Sequence, residues 1–375
     1  MISSFEIKNF RCFHHSKATG IARINLFGGR NNAGKTALLE ALLLMGKPSN
    51  QSIANLLSFR RISKKFLKEM PESAWENFFY HKNKENTISF NFVLDSGKNN
   101  RVLINCDEKI DDFVNIITKD EENTDQDMLA FARSLENTNA IKSSLHIGVY
   151  VGDSQLPDNL FISSPNGIAG RGMPHTFFDT NFVPAFKLDS DELATEFDKA
   201  KLKGDSETLL DAFQMIDSTI EKVETFKIGE AALYLKRKAE DYYMPLSLFG
   251  DAMNRIADFI LRIVNNKNSI LLVDEIENGI HYENQEEIWK ILFNLCEKYN
   301  VQLFATSHSY EMIEAYKNVI IKNHFQKVGS YFEMARHSAV PSKITIQKIP
   351  IYSLEDKINT KNPIRGEQTN KRRLS

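Results

Sequence analysis

The feature that most constrains this chain is the segment GGRNNAGKT at residues 28–36. Gly29, Gly34, Lys35 and Thr36 match the pattern G-x-x-x-x-G-K-[ST]. In a loop of this kind, bare backbone N–H groups surround phosphate groups, and the lysine reaches the outermost of them. The pattern needs a strand before the loop and a helix after it, because the helix N-terminus directs its dipole towards the anion.

Both flanks of this loop meet the requirement. Ile24 and Leu26 alternate with other residues before the loop, as in a strand, and leucines recur at helical spacing after it. A chance glycine turn before a helix would not account for both flanks. The sequence therefore predicts a nucleotide-phosphate site, and Asn31 and Asn32 belong to its loop.

Composition limits what surrounds this site. The 375 residues carry a formal net charge of −2, and 42% of them are hydrophobic, which is typical of a globular protein and excludes a generally basic nucleic-acid binder. The length predicts one large domain with an insertion, or two domains.

No leader and no membrane-spanning apolar run is seen, so we expect a cytoplasmic protein without a membrane partner. Cys12, Cys106 and Cys296 stand alone, which argues against disulfides and a zinc site.

A second apolar run, SILLVDE at residues 269–275, ends in two carboxylates. It is typical of a buried parallel strand, and ligands of open α/β sheets bind at the carboxyl ends of such strands. Beside a phosphate loop, Asp274 and Thr36 would hold Mg²⁺, and Glu275 would orient or deprotonate the attacking water. The alternative is a strand that ends in a solvated turn. A third run, VQLFATSHS, puts His308 at another strand end, where it would sense the γ-phosphate or support the transition-state charge; the alternative is an ordinary hydrogen bond.

The order of motifs along the chain indicates a particular class of ATPase. A long stretch separates the phosphate loop from the acidic strand, and LSLFGD with an amphipathic helical pattern lies just before that strand. This order resembles the ABC-type ATPases of structural-maintenance-of-chromosomes proteins, recombination ATPases and the ATPase modules of overcoming-lysogenization-defect (OLD) nucleases. The resemblance covers both ends of the chain well and the middle weakly. It implies an α/β fold, a P-loop ABC-type ATPase head with an antiparallel β N-terminal lobe and a helical or mixed insertion.

The same resemblance implies roles for residues outside the loop. Arg11, in NFRCF, would lie near the phosphates, and Ser247 and Gly250, in the signature LSLFGD, would contact the γ-phosphate held by the opposite subunit. His308 would be the switch histidine. The implied cofactors are ATP and Mg²⁺, and the implied assembly is a homodimer or higher homo-oligomer formed through ATP. His281 departs from the pattern, because transporter relatives carry an aspartate there.

The middle of the chain has no sustained heptads, which excludes a long coiled-coil arm. Residues 87–108 alternate around a Ser-Gly-Lys-Asn-Asn turn and predict a hairpin. The glycine-rich residues 163–175 predict a mobile loop, and helical patterns dominate residues 189 to about 228. We predict four segments: an N-terminal ATPase lobe (1–110), a mixed and then helical insertion (111–240), a C-terminal ATPase lobe (241–350), and a closing segment with a basic tail (351–375).

Two basic clusters raise the question of nucleic acid. FRRISKKFLK at residues 59–68 and NKRRLS at residues 370–375 could each follow a phosphate backbone, although such clusters are commonly solvated faces. DNA or RNA is therefore a possible partner.

The predicted function is an ATP-binding and ATP-hydrolysing ATPase that dimerises around ATP and regulates or licenses a separate effector, as in bacterial anti-phage defence. Two alternatives stay open: a binding module in which ATP only switches conformation, and a DNA-repair clamp on DNA ends or gaps. The chain resembles a short OLD form without the nuclease domain, because little sequence follows His308. DSDE at residues 189–192 reads better as a helix start than as a metal-binding pair. We therefore predict that the chain is not itself a nuclease.

Overall fold

The computed structural model describes residues 1–107, 141–172, 175–184, 190–337 and 343–359. An antiparallel sheet of seven strands, here called the N-terminal sheet, has the order β2-β1-β4-β5-β6-β7-β8. Buried and less buried residues alternate along β4, as expected when one face of a sheet packs on a core and the other meets solvent. The strands of this sheet are β1 (Ile2–Phe10), β2 (Phe13–Thr19), β4 (Ile88–Leu94), β5 (Asn99–Asp107), β6 (Ser143–Val151), β7 (Ser154–Ser164) and β8 (Gly167–Arg171).

A second sheet, here called the central sheet, has six strands in the order β16-β15-β3-β14-β13-β9. Its pairs are parallel except β15 with β16. The strands β3, β13 and β14 are buried at every residue, which is typical of parallel strands covered on both faces. The strands are β3 (Ile24–Gly29), β9 (Thr180–Val183), β13 (Ile270–Val273), β14 (Gln302–Ser307), β15 (Gly329–Arg336) and β16 (Ile344–Ile349).

Two hydrophobic cores lie on opposite faces of the central sheet. Ile270 and Leu272 of β13 face the core shared with the N-terminal sheet, whereas Leu271 and Val273 face the other core. This alternation follows from the period of two in a strand. The helix α1 (Lys35–Gly46) belongs to the first core and is buried at every residue but Thr36, so it lies between the two sheets.

The remaining elements surround these layers. A three-stranded antiparallel sheet and several helices cover the second core. Two shorter helices, α2 and α3, follow α1 on the side of the N-terminal sheet. These elements are α2 (Asn50–Phe59), α3 (Lys64–Glu69), α4 (Ser190–Leu202), α5 (Ser206–Ile216), β10 (Ile220–Ile228), β11 (Glu230–Arg237), β12 (Met244–Pro245), α6 (Gly250–Asn265), α7 (Gln285–Lys298), α8 (Tyr310–Lys322) and α9 (Ile351–Asn359).

Several predictions from the sequence are confirmed. The fold is α/β with an antiparallel N-terminal sheet, and the phosphate loop connects β3 to α1. The acidic run is a parallel strand, and the run that ends before His308 is its neighbour. The hairpin predicted at residues 87–108 is formed by β4 and β5.

Two predictions are wrong. Within the described part of residues 163–175, the chain forms a tight turn and β8 instead of a mobile loop. Gly170 fits there because a Cβ atom at this position would lie only 2.8 Å from Phe161 Cδ1, so glycine allows close strand packing. The helical stretch ends at Ile216, and residues 220–228 form β10, whose partner β11 the helical pattern did not reveal.

The division into lobes and insertion stays a prediction. The strands β6 to β8 fall within the predicted insertion, yet they complete the N-terminal sheet. Asp189 and the basic tail at residues 370–375 lie outside the described residues. None of the described helices has the length and apolar character needed to cross a membrane.

Candidate functional site

The phosphate loop connects the carboxyl end of β3 to the start of α1. Gly34 has φ 89°, a left-handed conformation that glycine adopts without steric cost. A Cβ atom at Gly34 would also lie 2.8 Å from Cys12 Sγ, so the position requires glycine for space as well. The Lys35 ammonium donates to the carbonyl oxygens of Gly29, at 2.8 Å, and Arg30, at 3.0 Å. Burial lowers the pKa of Lys35, and nearby carboxylates oppose that shift.

Asp274 lies directly after β13 and faces α1. Its Oδ2 atom accepts a hydrogen bond from Thr36 Oγ1 at 2.8 Å, and its Oδ1 atom accepts one from Thr306 Oγ1 at 2.7 Å. The residue is only 7% exposed, and burial raises the pKa of its carboxyl group. The two hydroxyl groups therefore hold a largely desolvated carboxylate against the first turn of α1.

Glu275 follows in a left-handed conformation, with φ 47°. Such a conformation costs of order 1 kcal/mol for a residue with a side chain, so the surrounding contacts must maintain it. The Glu275 N–H donates to Thr306 Oγ1 at 2.9 Å, and Asn278 Nδ2 donates to Glu275 Oε2 at 2.8 Å. The carboxylate is 38% exposed and lines the same cleft as Lys35.

His308 lies just beyond β14, beside the acidic strand end. The backbone N–H groups of His308 and Ser309 donate to Glu277 Oε1 at 2.7 and 3.1 Å. His308 Nδ1 lies 2.9 Å from the same oxygen but without the alignment of a hydrogen bond, and 3.9 Å from Glu275 Oε1. Glu277 therefore connects the segment after β13 to the segment that carries His308.

A buried carboxylate on α1 holds two arginines at the wall of the cleft. Glu40 has no exposed surface, and its oxygens lie 3.0 Å from Arg11 Nε and 2.7 Å from Arg60 Nε. The Arg11 guanidinium also lies over the Phe78 ring, 4.8 Å from its centroid. Arg11 Nη2 is buried and has no hydrogen-bond partner within the described residues.

These elements enclose a cleft of about 950 Å³. It brings together most of the predicted residues: Asn31, Asn32, Gly34, Lys35, Thr36, Asp274, Glu275 and Arg11. Gly29 contributes the carbonyl that Lys35 contacts, and His308 lies next to Glu275. Ser247 and Gly250 are not brought to this cleft; they lie on a short helical turn and at the start of α6, and both are exposed.

The sequence did not single out several residues that shape this site. Glu40, Arg60 and Glu277 are described above, and Arg255 Nη2 donates to the backbone oxygen of Asp274 at 3.1 Å. For two of them, the sequence contains a pattern that could have indicated a role at the site. Glu40 is the one charged residue within ALLEALLLM, and Arg255 precedes Phe259 by four residues on the buried face of α6. The role of Glu277 depends on the contact between two strand ends, which is not a local property.

The donor set fits the phosphates of a nucleotide together with Mg²⁺. Thr36 and Asp274 offer adjacent oxygens, and Mg²⁺ is commonly bound by one or two protein oxygens plus substrate phosphates. Arg11 Nη2, which has no hydrogen-bond partner among the described residues, and the Lys35 ammonium, which donates to two loop carbonyls, offer donors to an anion. Within the described residues, no group of three His, Cys, Asp or Glu side chains could hold a metal ion.

Residues 24–314 match the family described as "AAA domain, putative AbiEii toxin, Type IV TA system". The chain is 26% identical over 347 residues to an "ATP/GTP phosphatase" of Helicobacter pylori, covering 87% of this chain and 90% of that protein. It is also 30% identical over 93 residues to "Uncharacterized protein MJECL10" of Methanocaldococcus jannaschii, covering 25% of this chain and 42% of that protein.

Two solved structures are similar to this chain over most of its length. An "SmcHead bound to the C-winged helix domain of ScpA" has a TM-score of 0.47 and 8% identity and covers 95% of this chain and 99% of that chain. The "SMC head domain from Thermotoga maritima" has a TM-score of 0.43 and 10% identity and covers 93% and 98% of the two chains.

Proposed function

The chain belongs to the AAA domain family that its residues 24–314 match, and from that premise we propose that it binds ATP with Mg²⁺ and hydrolyses it in the cleft. The observation that carries the proposal is the hydrogen bond from Thr36 to Asp274, made between a phosphate loop and an acidic strand end with Glu275 beside it. A relative named for ATP and GTP phosphatase activity, similar over 87% of this chain, supports the same reaction.

The residues at the phosphate loop and the acidic strand end have separate roles in this proposed reaction. The loop N–H groups around Gly34 bind the phosphates, and Lys35 exchanges its two carbonyl contacts for the γ-phosphate. Thr36 and Asp274 would hold Mg²⁺, and the bound ion would supply positive charge next to the phosphate oxygens. Glu275, the partly exposed carboxylate, orients or deprotonates the attacking water.

The segments around this centre control its geometry. Thr306 contacts both Asp274 and the backbone of Glu275, so it fixes the Asp274 carboxylate relative to the Glu275 backbone. Glu277 holds the backbone of His308 within reach of Glu275, where the imidazole can respond to the γ-phosphate.

We further propose that two copies of the chain close around ATP as a homodimer or higher homo-oligomer. Ser247 and Gly250 are exposed and lie outside the cleft of their own chain. Gly250 has φ 87° and nothing within 4 Å of a Cβ atom added to it, so its backbone is open to a partner. In the dimer these residues contact the γ-phosphate held by the opposite copy.

The proposed role of this ATPase is to regulate or license a separate effector in the cytoplasm, in the manner of a short OLD-type protein in anti-phage defence. The chain itself is proposed not to cut nucleic acid. Purified chain with ATP and Mg²⁺ or Mn²⁺ should leave plasmid and linear DNA intact. Cleavage that disappears in Asp191→Asn would make the α4 region catalytic and overturn this part of the proposal.

A DNA-repair or recombination clamp is the second candidate function. The observation in its favour is the exposed basic surface of Arg61, Lys64, Lys65 and Lys68 on and before α3. Such a clamp would bind DNA ends or gaps and couple binding to turnover.

Phosphate release by the purified chain tests these functions together. We expect release from ATP with Mg²⁺, none after EDTA is added, and little change on adding DNA. Strong stimulation by DNA ends would favour the clamp. Tight ATP binding without release would leave a conformational switch and contradict the ATPase proposal.

A further inference from the structure

A second cavity, of about 560 Å³, lies between the short helices and the outer strand of the N-terminal sheet. We call it the β8 groove. Its floor is apolar, and its rim includes lysines and asparagines. The residues that line it are Asn50, Ile53, Ala54, Leu57, Ser58, Ile62, Lys64, Leu67, Lys68, Phe161, Asn166, Gly167, Ile168, Ala169 and Gly170.

The groove runs along β8 at the edge of the N-terminal sheet and also reaches Phe161 of the neighbouring strand β7. Side chains of consecutive strand residues point to opposite faces of a sheet, yet Ile168, Ala169 and Gly170 all line the groove. Contact with three consecutive residues brings the backbone of β8, as well as its side chains, to the surface of the groove. In the described part of the chain, β8 is the last strand of its sheet, so this edge pairs with no further strand.

A backbone carbonyl of β8 faces the helices that border the groove. Asn50 Nδ2, at the start of α2, donates to the carbonyl oxygen of Gly170 at 3.2 Å, which shows that this carbonyl faces α2. Gly167, Ala169 and Gly170 have little or no side chain to cover the neighbouring groups. An edge strand of this kind is a template for a segment that adds as a further strand.

The charged side chains that line the described part of the groove are all positive. Lys64 and Lys68 are exposed, lie one helical turn apart on α3, and both line the groove. No carboxylate is among the lining residues that the structure describes. The floor, by contrast, consists of well-buried apolar side chains such as Ile53, Leu57 and Phe161. A ligand that fits must therefore combine apolar side chains with negative charge.

We propose that the β8 groove binds an extended, acidic and apolar segment of a partner protein, which adds to β8 as an antiparallel or parallel strand. The five residues of β8 span about 17 Å, so the paired part of the ligand has a similar length. The proposal goes beyond ATP hydrolysis and does not depend on it, because among the residues that the structure describes Ile62 alone lines both this groove and the cleft.

Nucleic acid fits the groove less well than a peptide does. Nucleic-acid surfaces combine several cations along a phosphate path with edges or rings that contact bases. Here the lining has two cations and, among its described residues, one aromatic side chain, Phe161, which is 2% exposed. The remaining lysine of α3, Lys65, does not line the groove and pairs with Glu69 at 3.7 Å.

Selection of random short peptides displayed on phage against the immobilised full chain tests the proposal. We expect enriched peptides that alternate apolar residues with Asp or Glu. Their affinity, measured with labelled synthetic copies, should fall at least about fivefold in Lys64→Glu/Lys68→Glu and in Ala54→Trp, which fills the exposed mouth of the groove. Lys65→Glu, on the same helix but outside the groove, is the matched control and should change affinity less than about twofold.

Hydrogen–deuterium exchange locates the ligand. The selected peptide should slow exchange of the amides of residues 167–171 in the wild-type chain but not in Ala54→Trp. ATP hydrolysis measured on the same variants separates the two proposals, since none of them changes the cleft. Selected peptides without acidic residues, unchanged exchange in β8, or a labelled DNA duplex that binds with the same dependence on Lys64 and Lys68 would each overturn the proposal.

Discussion

Asp274 combines a buried carboxylate, which opposes the stability of the fold, with a proposed role in binding Mg²⁺. Its carboxylate is desolvated between Thr36 and Thr306, and no cation in the described part of the chain forms an ion pair with it. Burial raises its pKa, so ionisation is less favourable in the folded chain than in the unfolded chain. A carboxylate held in this way is suited to bind a divalent cation. Without a bound cation, the buried carboxylate lowers the free energy of unfolding.

Replacement of Asp274 by Asn should therefore stabilise the nucleotide-free chain at neutral pH. The raised pKa means that the folded chain binds the proton more tightly, so ionisation favours the unfolded chain above the ordinary value of 3.8. The gain in Tm of Asp274→Asn should shrink as the pH falls towards that value. Thermal unfolding over a pH series checks this. A lower Tm for the variant at neutral pH would show that the carboxylate stabilises the fold.

Replacement of Lys35 by Ala should abolish nucleotide binding or turnover. The ammonium is buried beside the carbonyl oxygens of Gly29 and Arg30, whereas Arg336, which also donates to the loop, contacts a different carbonyl, that of Asn32 at 3.0 Å. We expect ATP affinity or turnover to fall by about 100-fold or more. Lys222→Ala, on the exposed side of β10, is the control. Calorimetric titration and phosphate release are the measurements, and unchanged values in Lys35→Ala would remove the phosphate site from this loop.

At the scale of elements, the sequence predicted what local patterns determine. The strand, loop and helix around residues 24–46 follow from spacing alone, and so do the apolar runs of β13 and β14. The membership of β8 in the N-terminal sheet and the pairing of β10 with β11 could not be predicted, because strand pairing is nonlocal. For the same reason the role of Glu277 could not be predicted, because its hydrogen-bond partners lie at the end of the neighbouring strand.

The pairing of Glu40 with Arg11 and Arg60 connects α1 to the β1–β2 turn and to the end of α2. Glu40→Ala leaves the buried Arg11 without its counter-charge, so we expect a loss of about 3 kcal/mol in the free energy of unfolding. Glu69→Ala breaks only the exposed pair with Lys65 and should change that free energy by less than about 1 kcal/mol. Urea unfolding measures both values. Equal losses in the two variants would contradict a structural role for the buried pair.

At the scale of the whole molecule, one chain does not bring all the predicted phosphate contacts together. The cleft contains the loop and the acidic strand end, while Ser247 and Gly250 lie exposed elsewhere. The sequence could indicate both parts but not how they meet, since a contact between copies leaves no trace in the spacing of one chain. A dimer closed by ATP is the arrangement that we propose for completing the site.

Glu275→Gln should accumulate that dimer. The amide keeps the shape and the hydrogen bond from Asn278 but lacks a base, so ATP remains bound and unhydrolysed. Size-exclusion chromatography with light scattering should show a larger species with ATP and a monomer without it. Adding Lys35→Ala to the same variant should restore the monomer. A single species at monomer mass under both conditions would contradict the proposed dimer.

The rate of phosphate release from ATP in Glu275→Gln, measured together with ATP affinity, tests the central claim most directly. The claim is that Thr36, Asp274 and Glu275 form one hydrolytic centre at the phosphate loop. We predict a rate at least about 100-fold below that of the wild-type chain, with ATP affinity retained, because only the water-activating group is lost. Glu283→Gln, which changes a nearby exposed carboxylate, should keep the wild-type rate. A Glu275→Gln variant that hydrolyses ATP at the wild-type rate would contradict the claim.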